Sequence, residues 1–429
     1  MTMTLSRLRN SSIAKNAGWM MAGQGFSVVI QAAYFVLLAR LLGSTQYGVY
    51  AGAAALGFIV SPYCDLGSGL LFLRHVSPAH EKSPQYWGNI LIATFGTGTL
   101  FVALTVLTAH WTISSAGALL VSLTAIANCI GLPISTCAGQ VFQAFEQMRY
   151  TAVLNLLQNA LRLVLAGVML IAIRRASALE WAWAAFAVSL AGVILSIVLV
   201  NRRFGKPRFS FQLFRSSLSE GFGFSFAGST SSLYNDLDKA MLSHYEMNAA
   251  NGIYSVAYRV INIATTPVLA IYSAAYPTFF RKGAEGIRST ASFAWKSLKH
   301  TLLVSAPAAV AMFFLAPLLP LMAGPTFGES ASALRWLCLI PVFRSFHISA
   351  GYAMTGAGYQ PFRTASQFLA AAFNFGLNLY LIPRYSWIGA AWASLATDGG
   401  LAVMNWLLLF YLVRRTSLRM VPVPSPAVR

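Results

Sequence analysis

The stretch that decides the fold is GFGFSFAGSTSSLYNDLDKAMLSHY, from Gly221 to Tyr245. It is about as long as a helix that crosses a bilayer, yet it contains Asp236, Asp238 and Lys239. Polar residues recur along it at steps of three and four, which places them on one face of a helix. These residues are Ser225, Ser229, Ser232, Asp236, Lys239 and Ser243. Such a face contacts water or protein rather than lipid.

The composition around this stretch is that of a polytopic membrane protein. Of the 429 residues, 57% are hydrophobic and only 10% are charged, and the mean hydropathy is +0.63. Long apolar blocks recur along the whole chain, which excludes a soluble globular protein. The net charge of +19 resides mostly in short links between the blocks, as membrane topology demands, so we expect no binding of nucleic acid. The four cysteines form no metal-ligand pattern, so we expect buried free thiols, no metal and no cofactor.

Twelve apolar segments have the length of membrane-spanning helices. Each must be helical, because an unpaired strand edge is not stable in hydrocarbon. The predicted spans are 17–38, 48–72, 87–109, 116–142, 151–173, 178–200, 221–243, 252–277, 301–323, 331–355, 362–382 and 388–413. A basic leader with Arg7, Arg9 and Lys15 runs directly into the first span. This arrangement predicts a retained first helix rather than a cleaved signal peptide.

The basic residues are divided unequally between the two sides of the membrane. Most of the 30 Lys and Arg residues fall in the links of one side. The opposite side holds only Arg40, Arg174, Arg175 and Arg384. The positive-inside rule therefore predicts that both termini are cytoplasmic. The longest inward links, about 201–220 and 278–300, have no room for a folded catalytic domain, so the activity must lie within the membrane.

The chain contains a weak internal repeat. The segment LLARLLGSTQYGVY (Leu37–Tyr50) aligns with MLSHYEMNAANGIY (Met241–Tyr254), with a leucine, a glycine and a tyrosine in common. Each copy forms the first link of a six-helix half, and because six is even the halves are expected to share an orientation about an axis along the membrane normal. The predicted fold is all-α, with about twelve transmembrane helices in two six-helix lobes, residues 1–205 and 206–429. Two such lobes would enclose a cavity.

Basic and amide side chains within the spans are the candidate substrate-binding residues. A charged residue at the centre of a membrane helix costs roughly 2.5–3.5 kcal/mol, so it is expected to line water or to pair. The candidates are Arg162, Lys239, Arg259, Arg344, Asn155, Asn159, Asn374, Asn378 and Gln31. Arg162 is the first choice, because Asn155 and Asn159 share its face and neither helix end is near enough for snorkelling. Because Arg162 and Arg344 have no obvious partner among the carboxylates, we expect a basic cavity, which suits an anionic, phosphate-bearing cargo.

Carboxylates within the spans are the candidates for coupling transport to an ion. They are Asp65, Asp236, Asp238 and Asp398. Asp236 and Lys239 stand at i and i+3, so a purely structural pairing stays open. Asp65 follows a predicted helix break, where a carboxylate can also accept hydrogen bonds from local amides. The repeat favours the Asp238 face of the seventh helix as the cavity lining, whereas the polar stripe favours the face of Asp236 and Lys239, and both are retained.

Several segments resemble polysaccharide-export flippases of the Wzx type, in the MOP exporter superfamily. They are Ala39-Arg-Leu-Leu-Gly43 with Tyr47-Gly48, Asp65-Leu-Gly67, Ala144-Phe-Glu-Gln-Met-Arg149, Asp238-Lys239, Gly252-Ile-Tyr254 with Ala257-Tyr-Arg259, and Asn378-Leu-Tyr-Leu-Ile-Pro-Arg-Tyr385 with Gly389-Ala-Ala391. The last of these is the most specific. The resemblance covers nearly the whole chain.

The resemblance implies a flippase in the bacterial cytoplasmic (inner) membrane and not an enzyme. Its cargo would be a polyprenyl-diphosphate-linked oligosaccharide, moved to the outer leaflet by alternating access for cell-surface polysaccharide such as O-antigen or exopolysaccharide. Expected partners are the lipid bilayer, the polysaccharide polymerase and the chain-length machinery. One alternative is a multidrug or cation antiporter of the same superfamily, which favours an acidic cavity. Another is a membrane enzyme of the same pathway, a polymerase or acyltransferase, which would need an outward catalytic loop or a histidine cluster.

Overall fold

The computed structural model describes residues 12–77, 80–113 and 116–419, and the leader residues Arg7 and Arg9 lie outside these ranges. Within them the secondary structure is helical, without a β-strand. The helices are α1 (Ser12–Cys64), α2 (Ser68–Val76), α3 (Ser83–Thr112), α4 (Ala118–Ile126), α5 (Leu132–Ala144), α6 (Met148–Ala172), α7 (Ala178–Phe204), α8 (Phe211–His244), α9 (Asn248–Ala284), α10 (Ile287–Leu315), α11 (Leu318–Ala323), α12 (Ser330–Leu337), α13 (Ile340–Gly356) and α14 (Gln360–Arg419).

Eight helical stretches of the described chain are long and apolar enough to cross a membrane. Two of them contain two spans each, because α1 breaks at Gly43 and α14 breaks at Ser386, where the backbone is not helical. α8 and α9 are as long as the others but are not among the eight. These two helices carry the polar stripes of the seventh and eighth predicted spans. The all-α, multi-pass architecture is thus confirmed.

The two long basic links predicted near residues 201–220 and 278–300 are largely helical. α7 continues to Phe204, α8 begins at Phe211, α9 continues to Ala284 and α10 begins at Ile287. Hydropathy shows where a chain leaves hydrocarbon, but a helix in water is stable as long as its residues favour it. α10 therefore begins 14 residues before the start of the ninth predicted span, 301–323.

The two copies of the internal repeat contact each other. An added Cβ at Gly48 would lie 1.8 Å from the Asn248 carbonyl oxygen, and one at Gly252 would lie 1.9 Å from the Ser44 carbonyl oxygen. In the repeat alignment, Ser44 corresponds to Asn248 and Gly48 to Gly252, so the contact is reciprocal. Only glycine allows two helix backbones to approach so closely. Asn251 joins the crossing by donating to the Gly48 carbonyl oxygen at 2.9 Å.

The chain divides into two compact units. The first comprises residues 1–256 and 319–329, and the second comprises residues 257–318 and 330–429. In the first unit, segment 319–329 is attached to α1, because Arg40 donates to the Met322 carbonyl oxygen at 2.7 Å and Tyr47 packs edge-on against Phe327. This division differs from the boundary at residues 205 and 206, because α8 and the start of α9 pack with the N-terminal helices. The two six-helix lobes stay a prediction.

The four cysteines are buried free thiols, as predicted. Cys64 and Cys129 are fully inaccessible, and Cys137 and Cys338 are nearly so. They contribute to the apolar interior of each unit rather than to a disulfide or a metal centre.

Candidate functional site

Arg162 lies on α6 without a charge partner. Among the described residues its guanidinium makes no hydrogen bond or ion pair, and its Nε atom is buried without an acceptor. The side chain is half-buried, and Asn155 on the same face is exposed. A guanidinium within a membrane span that lacks an acceptor is free to bind an anion.

A small polar network adjoins Arg162 one turn earlier on α6. Asn159 donates through Nδ2 to the Ser27 hydroxyl at 2.7 Å, and Gln31 donates to the same hydroxyl at 3.0 Å. Ser27 is buried, whereas Asn159 and Gln31 are half-buried. Their helices approach closely because Gly23 leaves room for Ala152. The structure therefore brings together four predicted residues, Gln31, Asn155, Asn159 and Arg162, along α1 and α6.

Lys239 and Asp236 on α8 form an ion pair. The Lys239 Nζ atom lies 2.6 Å from Asp236 Oδ1 and 2.8 Å from the Asn235 carbonyl oxygen. The two side chains are 13% and 19% exposed. The structural pairing left open by the sequence is thus present, and it compensates most of the positive charge that Lys239 would offer to a cargo.

Asp238 lies on the other face of α8 and is completely buried. Its carboxylate accepts a hydrogen bond from the Tyr254 hydroxyl and another from the Lys239 backbone amide at 2.7 Å. Tyr254 belongs to the second copy of the repeat and is also fully buried. Asp238 therefore stabilises the start of α9 in this conformation, and the face with Asp236 and Lys239 is the more accessible one.

In the second unit, Arg344 is the centre of a buried polar cluster. Its Nη2 atom donates to the Tyr258 hydroxyl at 2.7 Å and its Nη1 atom to Asn262 Oδ1 at 3.2 Å. Its Nε atom lies 3.9 Å from Asp398 Oδ1, and the same oxygen lies 3.3 Å from His347 Nε2. The expectation that Arg344 lacks a partner is wrong, because Asp398 approaches it from a helix 54 residues away in sequence.

Three other predicted residues of the second unit differ sharply in accessibility. Arg259 is exposed, and within the described residues its guanidinium has no hydrogen bond or ion pair. Asn374 and Asn378 are fully buried. Asn374 donates to the Thr397 hydroxyl at 3.0 Å and Asn378 donates to Asn374 at 2.9 Å. In this conformation Arg259 can contact a cargo, whereas the two asparagines hold helices together.

Asp65 lies at the break between α1 and α2. Leu66 and Gly67 adopt left-handed backbone conformations, and the Asp65 carboxylate accepts from the Gly67 amide at 3.2 Å and the Gly69 amide at 3.4 Å. The Cys137 thiol donates to it at 3.3 Å. The predicted break and the local amide contacts are present, but in the described chain Asp65 makes no ion pair with a basic side chain.

Several side chains at these sites were not identified from the sequence. Tyr258 binds Arg344, Ser27 joins Asn159 to Gln31, and Gln140 and Ser225 lie beside Asp65 in one cleft. Ser27 and Ser225 stand on helical stripes that the sequence reveals, so spacing could have identified them. Tyr258 and Gln140 carry no such signal, because their partners lie on other helices.

Residues 13–282 match the sequence profile of the family described as polysaccharide biosynthesis protein. An uncharacterized membrane protein of Methanocaldococcus jannaschii is 24% identical over 207 residues, which cover 46% of this chain and 41% of that protein. The chain spans less than half the length of the curated relatives that it matches.

Two solved structures share the fold over nearly the whole chain. One is an inward-facing multidrug resistance MATE family transporter of the MOP superfamily, with a TM-score of 0.62, 14% identity and coverage of 93% of this chain and 95% of that one. The other is a MOP superfamily transporter from Pyrococcus furiosus, also with a TM-score of 0.62, at 15% identity and 96% coverage of both chains. At these identities the likeness concerns the fold alone.

Proposed function

Because the chain belongs to the polysaccharide biosynthesis protein family, we propose that it is a flippase that carries a polyprenyl-diphosphate-linked oligosaccharide from the cytoplasmic to the outer leaflet by alternating access. The resemblance to Wzx-type flippases agrees with this family and with the transporter fold. The membrane would be the bacterial cytoplasmic membrane, with both termini inside. Enzymes that lengthen the glycan are the partners that such an activity requires.

The uncompensated guanidinium of Arg162 is the observation that carries this proposal. Its buried Nε atom has no acceptor, and the described chain supplies no carboxylate to pair with it. An arginine within a membrane span costs roughly 2.5–3.5 kcal/mol, and a diphosphate would offset this cost with charge-assisted, bidentate hydrogen bonds. The diphosphate head group of the cargo would thus provide the anionic partner that Arg162 does not find in the described chain.

Amide side chains near Arg162 suit the sugar part of the cargo. Asn155 is exposed, while Asn159 and Gln31 are half-buried and share one hydroxyl partner. Amides donate and accept at once, which matches the hydroxyl groups of a glycan. In the second unit, Arg259 is exposed on α9 and is a candidate for anion binding there. Lys239 and Arg344 contribute less than the sequence suggests, because carboxylates already compensate them.

The test is translocation of a fluorescent polyprenyl-diphosphate oligosaccharide in proteoliposomes. Arg162→Ala is expected to lower the initial rate about 10- to 100-fold, because one charge-assisted contact with the diphosphate is lost. Arg335→Ala is the matched control, since Arg335 lies at the exposed end of α12 and donates to the Phe313 carbonyl oxygen at 3.3 Å. Equal rates for Arg162→Ala and wild type would refute the basic site.

A multidrug or cation antiporter is the second candidate, because a MATE family transporter shares the fold and Asp65 makes no ion pair with a basic side chain of the described chain. An antiporter would expel an organic cation from the same proteoliposomes and leave the lipid-linked glycan in place. Arg162→Ala would then accelerate cation efflux rather than slow it, because a positive charge repels the cargo. The two functions thus predict opposite signs for one substitution.

A further inference from the structure

A cleft beside the break between α1 and α2 is lined with oxygen atoms that lack hydrogen-bond donors. It has a volume of about 300 Å³ and contains Asp65, Gln140 and Ser225. Ser225 is 3% exposed, and its hydroxyl and the Gln140 Oε1 atom are both buried without a hydrogen-bond partner. A buried polar atom without a partner is costly, so these atoms indicate a missing ligand.

Gly69 brings the Gln140 oxygen close to the Asp65 carboxylate. An added Cβ at Gly69 would lie 1.8 Å from Gln140 Oε1 and 2.8 Å from Cys137 Sγ. The same thiol donates to Asp65 Oδ2 at 3.3 Å, and the Gly69 amide approaches that oxygen at 3.4 Å. Two acceptors from different helices therefore face one small region, and only a cation or another donor can satisfy both.

The proline near the helix break leaves the backbone carbonyl of one lining residue without its helical donor. Pro62 lies inside α1 and has no amide hydrogen, so the Phe58 carbonyl loses its usual helical donor. Both Phe58 and Pro62 line the cleft. Carbonyls at broken membrane helices are the groups that bind Na⁺ in transporters built from discontinuous helices.

We infer that this cleft binds one monovalent cation, Na⁺, through the Asp65 carboxylate, Gln140 Oε1, the Ser225 hydroxyl and the Phe58 carbonyl. Asp65 is the only acidic residue among the described residues of the lining, and in the described chain no Lys or Arg neutralises it. One Na⁺ would cancel its charge, whereas a divalent ion would leave a net positive charge within the membrane. Hard oxygen ligands suit such a cation. This inference goes beyond the flippase proposal, because a cation site would serve any cargo.

The test is equilibrium binding of ²²Na⁺ to the purified full chain in nanodiscs, with unlabelled Na⁺ as competitor. Wild type is expected to bind saturably, and Asp65→Asn to lose roughly tenfold or more in affinity. Gly69→Ala is expected to weaken binding as well, because its methyl group displaces the flexible Gln140 side chain. Glu220→Gln is the matched control: it removes a carboxylate from α8 that already pairs with Arg74 at 2.6 Å, and its Na⁺ affinity should equal that of wild type.

The site would be refuted if wild type showed no saturable Na⁺ binding between pH 6 and 9. It would also be refuted if wild type, Asp65→Asn and Gly69→Ala bound Na⁺ with equal affinity. If Asp65→Asn fails to fold, Gly69→Ala and the double variant Gln140→Ala with Ser225→Ala decide the question. Glycan translocation measured on the same preparations separates the two proposals. Na⁺ binding without translocation refutes the flippase and leaves the cation site intact.

Discussion

Arg162 in the first unit and Arg344 in the second unit are similar in the sequence, since each stands inside a membrane span near other polar residues. Their surroundings differ completely. The Arg344 guanidinium is held by Tyr258 and Asn262 and lies 3.9 Å from the Asp398 carboxylate. The Arg162 guanidinium has no partner in the described chain, and one of its nitrogens is buried without an acceptor.

This difference shows what decides the role of an arginine within a membrane span. An arginine with a carboxylate beside it is structural, whereas one without such a partner is available for binding, whatever its depth in the membrane. A compensated arginine is already paired, so a cargo must first displace Asp398 before it can bind. An arginine without an internal partner has no contact to give up, so the full interaction energy with an incoming anion favours binding. Substitutions at these two residues and at their neighbours should therefore have separate effects on stability and on transport.

The largest effect is expected from Arg344→Met. The substitution leaves the Asp398 carboxylate buried with only His347 beside it, which is expected to destabilise the protein by about 3–5 kcal/mol. The thermal midpoint measured by size-exclusion chromatography after heating should fall, and translocation should fall only as far as folded protein is lost. Arg162→Ala should leave the same midpoint almost unchanged.

The double variant Arg344→Met with Asp398→Leu is the control for this effect. Removing both charges should restore most of the lost stability, because apolar side chains of similar volume replace a buried ion pair at little net cost. If Arg344→Met alone were as stable as wild type, Arg344 would not be a structural residue and the comparison with Arg162 would fail.

A smaller effect is expected from Asn159→Asp, which places a carboxylate three residues before Arg162. The new pair would make Arg162 resemble Arg344, and the rate of glycan translocation should fall about threefold to tenfold because the cargo competes with an internal anion. Rates in the proteoliposome assay, with protein levels matched, check this.

Asn159→Gln keeps the amide and adds no charge, so it should stay within about twofold of wild type. A loss as large as that of Asn159→Asp would mean that the contact with Ser27 matters and that charge does not.

The smallest effect on transport is expected from Asp236→Asn, which removes the partner of Lys239. Because Lys239 keeps the Asn235 carbonyl oxygen as an acceptor at 2.8 Å, the loss of stability should be about 1–3 kcal/mol. Lys239 then becomes available to an anionic cargo. The apparent affinity for the diphosphate-linked glycan should then rise, as a titration of transport rate against cargo would reveal. An unchanged affinity would place Lys239 away from the cargo path.

Much of the fold follows from the sequence, because hydropathy and helical spacing are local properties. The twelve apolar segments correspond to the observed helices, and Pro62 and Asp65 correctly indicate a break in the second. The ends of the helices near residues 204 and 287 do not follow from hydropathy, since charged residues can leave the membrane without ending a helix. The break at Ser386 lies in the link predicted between the spans 362–382 and 388–413.

The site was predicted less completely because spacing reveals only which residues share a face. The stripe of Asn155, Asn159 and Arg162 was visible, and so was the pair of Asp236 and Lys239. Contacts between helices far apart in sequence were not, which is why Arg344 was expected to lack a partner although Asp398 lies beside it. The burial of Asn374 and Asn378 likewise depends on the packing of two helices.

The contact between the two repeat copies is reciprocal and resembles an isologous dimer interface, but it lies within one chain. It pairs Ser44 and Gly48 with Asn248 and Gly252. Each copy of this segment thus presents to the other the same pairing of a glycine with a facing carbonyl oxygen, as identical surfaces do in a symmetric dimer. A bulky side chain introduced at one glycine would then demand a compensating change at the other copy. The two halves of the repeat are therefore expected to evolve as a coupled pair.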